Sequence, residues 1–371
     1  MADEGLRLAL GLMSGTSLDG IDAALLHTDG RADVRPGPWL TRSYEPELRE
    51  RLRACLAGRG DVAAVRRDVT RAHAAAVAEL LDREGTAAET VAVIGFHGHT
   101  ITHRPAEGLT WQIGDGALLA ELAGIDVVCD FRSHDVAAGG EGAPLAPLYH
   151  AALAAALDRP IAVLNLGGVA NLTWLGAEGE LRAFDTGPGC ALLDDWARRH
   201  SGTSCDVDGA LALSGAPSDD TLERLMAHAY FDRSPPKSLD RDSFAGAVEE
   251  LSAEDGAATL VAFTAAAVAR AIAHLPAPPK RWLVGGGGRR NPALMAGLSR
   301  ALGAPVEPVE SVGWDGDALE AQAFAYLAMR ALDGFALTLP ETTGVPRPLT
   351  GGALYRHDCA PGSRTGRGSK A

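Results

Sequence analysis

Residues 11–22 read Gly11-Leu12-Met13-Ser14-Gly15-Thr16-Ser17-Leu18-Asp19-Gly20-Ile21-Asp22. Before this stretch Leu6, Leu8 and Leu10 alternate with Arg7 and Ala9, and Ile21 to Leu26 forms an apolar run at its end. Strand, glycine-rich turn and strand predict a hairpin. The pattern returns later, where Ile161 to Leu166, then Gly167-Gly168, then Val169 to Leu175 predict a second hairpin. Two halves that open in the same way predict a duplicated α/β architecture with a cleft between its parts.

Such turns suit phosphate. Several N–H donors must converge on one point, small residues let the backbone approach, and the hydroxyls of Ser14, Thr16 and Ser17 add donors. The second turn, Asn165-Leu166-Gly167-Gly168-Val169-Ala170-Asn171, offers the same physics with two amides. A plain hairpin turn uses the same residue types, so neither motif decides alone.

Between the hairpins, residues 45–58 and 61–84 read as helices, the second with Val65, Val69, Val77, Leu80 and Leu81 on one face. Val91 to Phe96 reads as a buried strand. Residues 130–150 are polar and glycine-rich at first, so a junction is expected near 135, with residues 147–157 helical. Residues 257–274 and 316–333 are expected helices. Arg281 to Val284 is an expected strand, and Asn291 with Pro292 is an expected helix start. The tail Ala360 to Ala371 is expected to be disordered.

Further motifs carry chemistry. Phe184-Asp185-Thr186-Gly187-Pro188-Gly189-Cys190 puts an acid at the end of an apolar stretch before a Gly-Pro-Gly loop. Asp185 there is a candidate general base or metal ligand, or an acid satisfying loop N–H groups. Gly285-Gly286-Gly287-Gly288-Arg289-Arg290-Asn291-Pro292 offers a flat backbone surface for a planar base. Gly98-His99-Thr100, Trp111 to Gly116, and Asp130-Phe131-Arg132 through Pro144 combine hydrogen-bonding groups with an aromatic ring, the mixture a sugar pocket uses.

Bulk properties narrow the classes. The chain has 371 residues, 46% hydrophobic and 22% charged, enough for two ordinary domains. Its net charge of −14 repels a phosphate polymer, so no nucleic-acid partner is expected. The acidic N-terminus lacks a signal-peptide pattern, and no membrane partner is expected. The five cysteines form no Cys-x-x-Cys pair, which favours a reducing cytoplasm. Lysine is rare, with Lys237, Lys280 and Lys370 the only three.

The order of these motifs matches the actin-like ATPase and sugar-kinase plan. From Gly11 to about Leu354 the chain resembles the anhydro-N-acetylmuramic acid kinases. The resemblance rests on Met13 to Ser17, Trp111 to Gly116, Asp130 to Arg132, Gly142-Ala143-Pro144-Leu145, Asn165 to Gly168 and Phe184 to Gly189. The family usually has Asn where Cys190 stands, and Gln at His99 and Glu141.

The resemblance implies two actin-like, ribonuclease-H-like α/β domains flanking an ATP and sugar cleft. Expected boundaries are 1–135, 136–335, and a segment 336–371 returning to the first domain. It implies ATP, Mg²⁺, water and an anhydro-amino sugar as reactants, with a homodimer left open and no residue named as a metal ligand. Asp185 is the implied catalytic base. ATP is assigned to Ser14, Gly15, Thr16, Ser17, Leu18, Asp19, Gly20, Ile21, Asn165, Gly167, Gly168, Gly285, Gly286, Gly287 and Asn291. The sugar is assigned to His99, Thr100, Trp111, Asp115, Arg132, Gly187 and Glu320. An actin-fold kinase for another sugar, a non-catalytic ATP-binding regulator and a filament-forming relative are the alternatives.

Overall fold

The computed structural model describes residues 5–15 and 18–358. Thr16, Ser17 and the tail expected to be disordered lie outside the described residues. The chain divides into two compact units: 1–156 with 318–340 and 345–371, and 157–317 with 341–344.

The first unit is built on β1 (Arg7–Ser14), β2 (Gly20–Thr28), β3 (Val34–Ser43), β4 (Val91–Arg104), β5 (Leu109–Ile113) and β6 (Val127–Cys129). Their order is β3-β2-β1-β4-β6, extended by the C-terminal strand Ala353–Tyr355, with β5 a hairpin partner of β4. β1, β2 and β3 are antiparallel neighbours, whereas β4 runs parallel to β1 and β6 parallel to β4. Alternation along β1 sends Leu10 and Leu12 to one face, into a core with Val65, Val69 and Val77 of the helix Val62–Glu84. Gly11 faces the other way. A Cβ there would lie 1.7 Å from the carbonyl oxygen of Ala321, and one on Gly95 would lie 2.0 Å from that of Phe324. The helix Leu319–Leu332 therefore sits directly on the backbone of β1 and β4, a packing only glycine allows.

The second unit repeats the plan with β7 (Ile161–Leu166), β8 (Val169–Leu175), β9 (Leu181–Pro188), β10 (Trp282–Gly285) and β11 (Val306–Pro308). Their order is β9-β8-β7-β10-β11, with the same antiparallel and parallel senses in the same places. Each unit thus shows one sheet of the actin-like, ribonuclease-H-like pattern. Ala162, Leu164, Phe184, Trp282 and Val284 pack against Ala265, Val268 and Leu298 of the helices Ala253–Ala271 and Pro292–Leu302. The segment Ala253–His274 is apolar and long enough to cross a bilayer by composition, yet two thirds of its apolar window is buried within the protein.

Three expectations change. The junction expected near 135 falls at 156–157 because the intervening glycine-rich stretch folds back on the first unit. There Gly142 N–H donates to Asp135 at 2.7 Å and Tyr149 donates to Gln322 at 2.8 Å. The returning segment begins at 318, so the helix 319–332 belongs to the first unit rather than the second. Asp185 lies inside β9, not after a strand, and Gly187-Pro188 closes that strand rather than forming a loop.

Candidate functional site

The first hairpin is organised around Ser14. Its hydroxyl is buried, 2.5 Å from the Tyr44 hydroxyl and 2.9 Å from Nδ1 of His99. His99 is fully buried, and its Nε2 has no hydrogen-bond partner among the described residues. Burial lowers the His99 pKa to about 4, so the ring is neutral near pH 7. His73, packed edge-on to Phe96, is also held near 4 by burial. Leu18 adopts a left-handed φ of 62°, uncommon for a leucine, with its side chain anchored in the core. Ile21 is buried too, so Leu18 and Ile21 can meet a ligand only through their backbone. Gly15 accepts from the Leu18 N–H at 3.1 Å. Gly20 sits against the backbone of Arg42, where a Cβ would lie 2.7 Å from its carbonyl oxygen. Asp19 is exposed, 3.5 Å from Arg49.

The residues assigned to sugar in this unit are held by different means. Thr100 accepts from Gln112 at 3.3 Å, and Trp111 on β5 is 46% exposed. Asp115 caps the helix Gly116–Ala123 through the Leu118 N–H and pairs with Arg66 at 3.2 Å, so its carboxylate serves the fold. Arg132 donates to the Gly142 carbonyl at 2.6 Å and to Nε2 of His97 at 3.2 Å, which makes it a strut for the 130–144 stretch. Glu320 lies exposed in the first turn of the helix 319–332.

In the second unit the hairpin turn is lined by glycine instead. The carbonyl of Gly167 accepts from Cys190 N–H at 2.7 Å and that of Gly168 from Gly189 and Ala191. A Cβ on Gly167 or Gly168 would meet nothing closer than 3.5 Å, and one on Gly287 would meet nothing within 4 Å. These three glycines are not required by any contact among the described residues. Gly286 is different: its φ is 72°, and a Cβ would lie 2.3 Å from Oδ1 of Asn165. Gly285 ends β10 beside Asn165. Asn291 caps the helix Pro292–Leu302, accepting from Ala293 and Leu294 and donating to the Asp206 carbonyl. Its side chain is therefore committed to the fold. Gly187 packs β9 onto the helix 253–271, where a Cβ would lie 2.7 Å from Ala267.

Asp185 sits opposite Asn171 on β8, at a register shift that leaves Thr186 bulged. It is 8% exposed. Its Oδ2 accepts from Leu239 N–H at 2.9 Å, its N–H donates to the Lys237 carbonyl at 3.0 Å, and its carbonyl accepts from the Tyr230 hydroxyl at 2.5 Å. A carboxylate so anchored can take a proton without the backbone moving. The nearby acids Asp194 and Asp195 lie on the helix Ala191–Ser201, where Asp195 pairs with Arg198 at 2.7 Å.

Tyr44, Tyr230 and Leu239 escaped the sequence reading because their partners lie 30 to 54 residues away along the chain, and Lys237 because no motif included it.

A model of the family described as anhydro-N-acetylmuramic acid kinase matches residues 7–357. An anhydro-N-acetylmuramic acid kinase of Paramagnetospirillum magneticum is 63% identical over 93% of this chain and 98% of its own. One of Rhodospirillum rubrum is 59% identical over 95% of each. With the match spanning both hairpins and Asp185, the chain belongs to the anhydro-N-acetylmuramic acid kinase family.

Proposed function

We propose that this chain uses ATP and water to convert 1,6-anhydro-N-acetylmuramic acid into N-acetylmuramic acid 6-phosphate, in cell-wall recycling and amino-sugar breakdown. Family membership over nearly the whole chain is the observation that carries this reading. The hairpin turn of each unit is assigned to phosphate. Thr100, Trp111, Arg132 and Glu320 are assigned to sugar, with His99 acting through Ser14.

Asp185 is assigned the base. It takes a proton from water as the water oxygen bonds to the anomeric carbon, an effect worth roughly 10²–10⁴-fold. The bond from that carbon to O6 breaks, O6 attacks the γ-phosphorus, and ADP leaves. The open space over Gly167, Gly168 and Gly287 supports a ligand at the second unit's turns, because a protein has no packing reason to leave those positions bare.

Mg²⁺ is proposed as the ion entering with ATP, where it neutralises charge on the β- and γ-phosphates. The exposed carboxylate of Asp19, loosely tied to Arg49, suits a water-bridged contact with it. The cytoplasm is the proposed compartment, and a homodimer remains a proposal for solution measurement.

The deciding experiment incubates the protein with ATP and the anhydro sugar and weighs the product. The sugar gains the mass of one water and one phosphoryl group. Phosphorylation without added water would overturn the ring opening and favour a kinase for an ordinary sugar.

A further inference from the structure

Lys237 is buried, at 3% exposure, in a chain that carries most of its positive charge on arginine. Its Nζ donates to the Tyr230 carbonyl at 3.1 Å and lies 4.6 Å from the centroid of the Tyr230 ring. Burying an ammonium against one carbonyl and one ring face is unfavourable compared with an apolar side chain of the same length. The groups around it do not relieve this. Arg233 and Arg270 repel it, and Asp232, the acid that attracts it, is paired with Arg270 at 3.1 Å. Burial, with Arg233 adding to it, lowers the Lys237 pKa to about 8.

The contacts close a ring. Asp185 N–H donates to the Lys237 carbonyl, Lys237 Nζ donates to the Tyr230 carbonyl, and the Tyr230 hydroxyl donates to the Asp185 carbonyl. Two residues after Lys237, Leu239 N–H holds the Asp185 carboxylate itself. β9 is the last strand of its sheet, so its outer edge has no strand to fix it, and the segment 237–239 takes that place. The ammonium is the charged group through which the segment is tied to Tyr230.

We propose that Lys237 is a positioning residue which, through Tyr230 and its own backbone, holds the Asp185 carboxylate in its working orientation. This rests on the assignment of Asp185 as the base. Displacement of a reacting group by about 1 Å can slow turnover as much as 10²-fold while leaving binding intact.

The test compares Lys237→Met, Lys237→Arg, Tyr230→Phe and Asp185→Asn by steady-state kinetics with ATP and the anhydro sugar. Lys237→Met lowers kcat at least about tenfold with both KM values within about twofold, the signature of a lost transition-state contact. Tyr230→Phe, which removes a single hydroxyl and keeps the ring, lowers kcat in the same way. Lys237→Arg, with donor and charge restored, recovers kcat to within about threefold of the natural protein. If Lys237→Met folds poorly, Tyr230→Phe and Lys237→Arg carry the comparison. Normal kcat in folded Lys237→Met or Tyr230→Phe, or a loss expressed only in KM, overturns the proposal. Should Asp185→Asn keep turnover, the assignment of the base fails instead, and the two failures are told apart.

Discussion

The two units share one strand order and one set of strand directions, yet they line their hairpin turns in opposite ways. In the first unit the turn rests on buried polar side chains: Ser14 between Tyr44 and His99, with His73 and His97 behind. In the second the turn is bare glycine, with the polar work moved to an anchored carboxylate on the neighbouring strand. One topology therefore supports two kinds of site. The first is ordered by buried side chains that burial keeps neutral, and the second leaves its backbone open beside an anchored acid.

The largest effect that would test this contrast is acid. His73, His99 and His150, all in the first unit, are held near pKa 4 by burial, and burial and Arg132 hold His97 well below its usual value. Unfolded histidine titrates near 6.5. Between these values the unfolded chain binds more protons, so stability is full above about pH 6.5 and falls as pH drops toward 4. The loss is on the order of 3 kcal/mol for each such histidine. Hydrogen exchange at pH 7 and pH 5 checks it. Amides of residues 7–156 lose protection before those of 157–317, and equal loss in both would erase the contrast.

Next comes the carboxylate of the second unit. Asp185→Asn keeps the shape and removes the basicity, so turnover falls at least about a hundredfold while ATP binding and Tm hold. Near-normal turnover in the folded variant would bring Asp19 forward as base.

Gly168→Val is expected to weaken ATP binding about tenfold or more with little change in Tm, because its Cβ meets open space in the protein alone. Gly286→Val is expected to do the reverse, since its left-handed backbone and the contact with Asn165 exclude a side chain. Equal loss of Tm in both variants would make the Gly167-Gly168 turn structural. Gly15→Val is the matching change in the first hairpin.

The smallest effect falls on the pre-ordered turn. His99→Gln keeps a polar group facing Ser14 and is expected to raise the KM for ATP a few-fold, on the scale of one ordinary hydrogen bond. An unchanged KM would show that Ser14 is held by Tyr44 alone.

Local patterns were legible because they depend on neighbours in the chain. Alternation drew β1 and β2, the paired glycines drew the β7–β8 turn, and Asn291-Pro292 drew the start of the helix 292–302. β3 was not legible, and β9 was legible only as far as Asp185. Val34–Ser43 contains Pro36, Gly37 and Pro38, and Leu181–Pro188 contains Asp185 and Gly187, residues that read as loop. Both are the last strand on their side of the sheet, where a missing N–H or a turn residue is tolerated. Nothing in the residues themselves says which strand will lie at an edge.

The sequence by itself determined the class of protein, and it put forward two turns for phosphate and Asp185 for the acid, since each depends on residue types in a short order. Tertiary structure alone decided what holds them. Ser14 meets Tyr44 across 30 residues and His99 across 85, Asp185 meets Leu239 across 54, and Gly11 is fixed by a helix some 310 residues on. Hydrogen bonds and close packing act over a few ångströms of space, whatever the separation along the chain, so the residues that position this chemistry became visible only once the chain was folded.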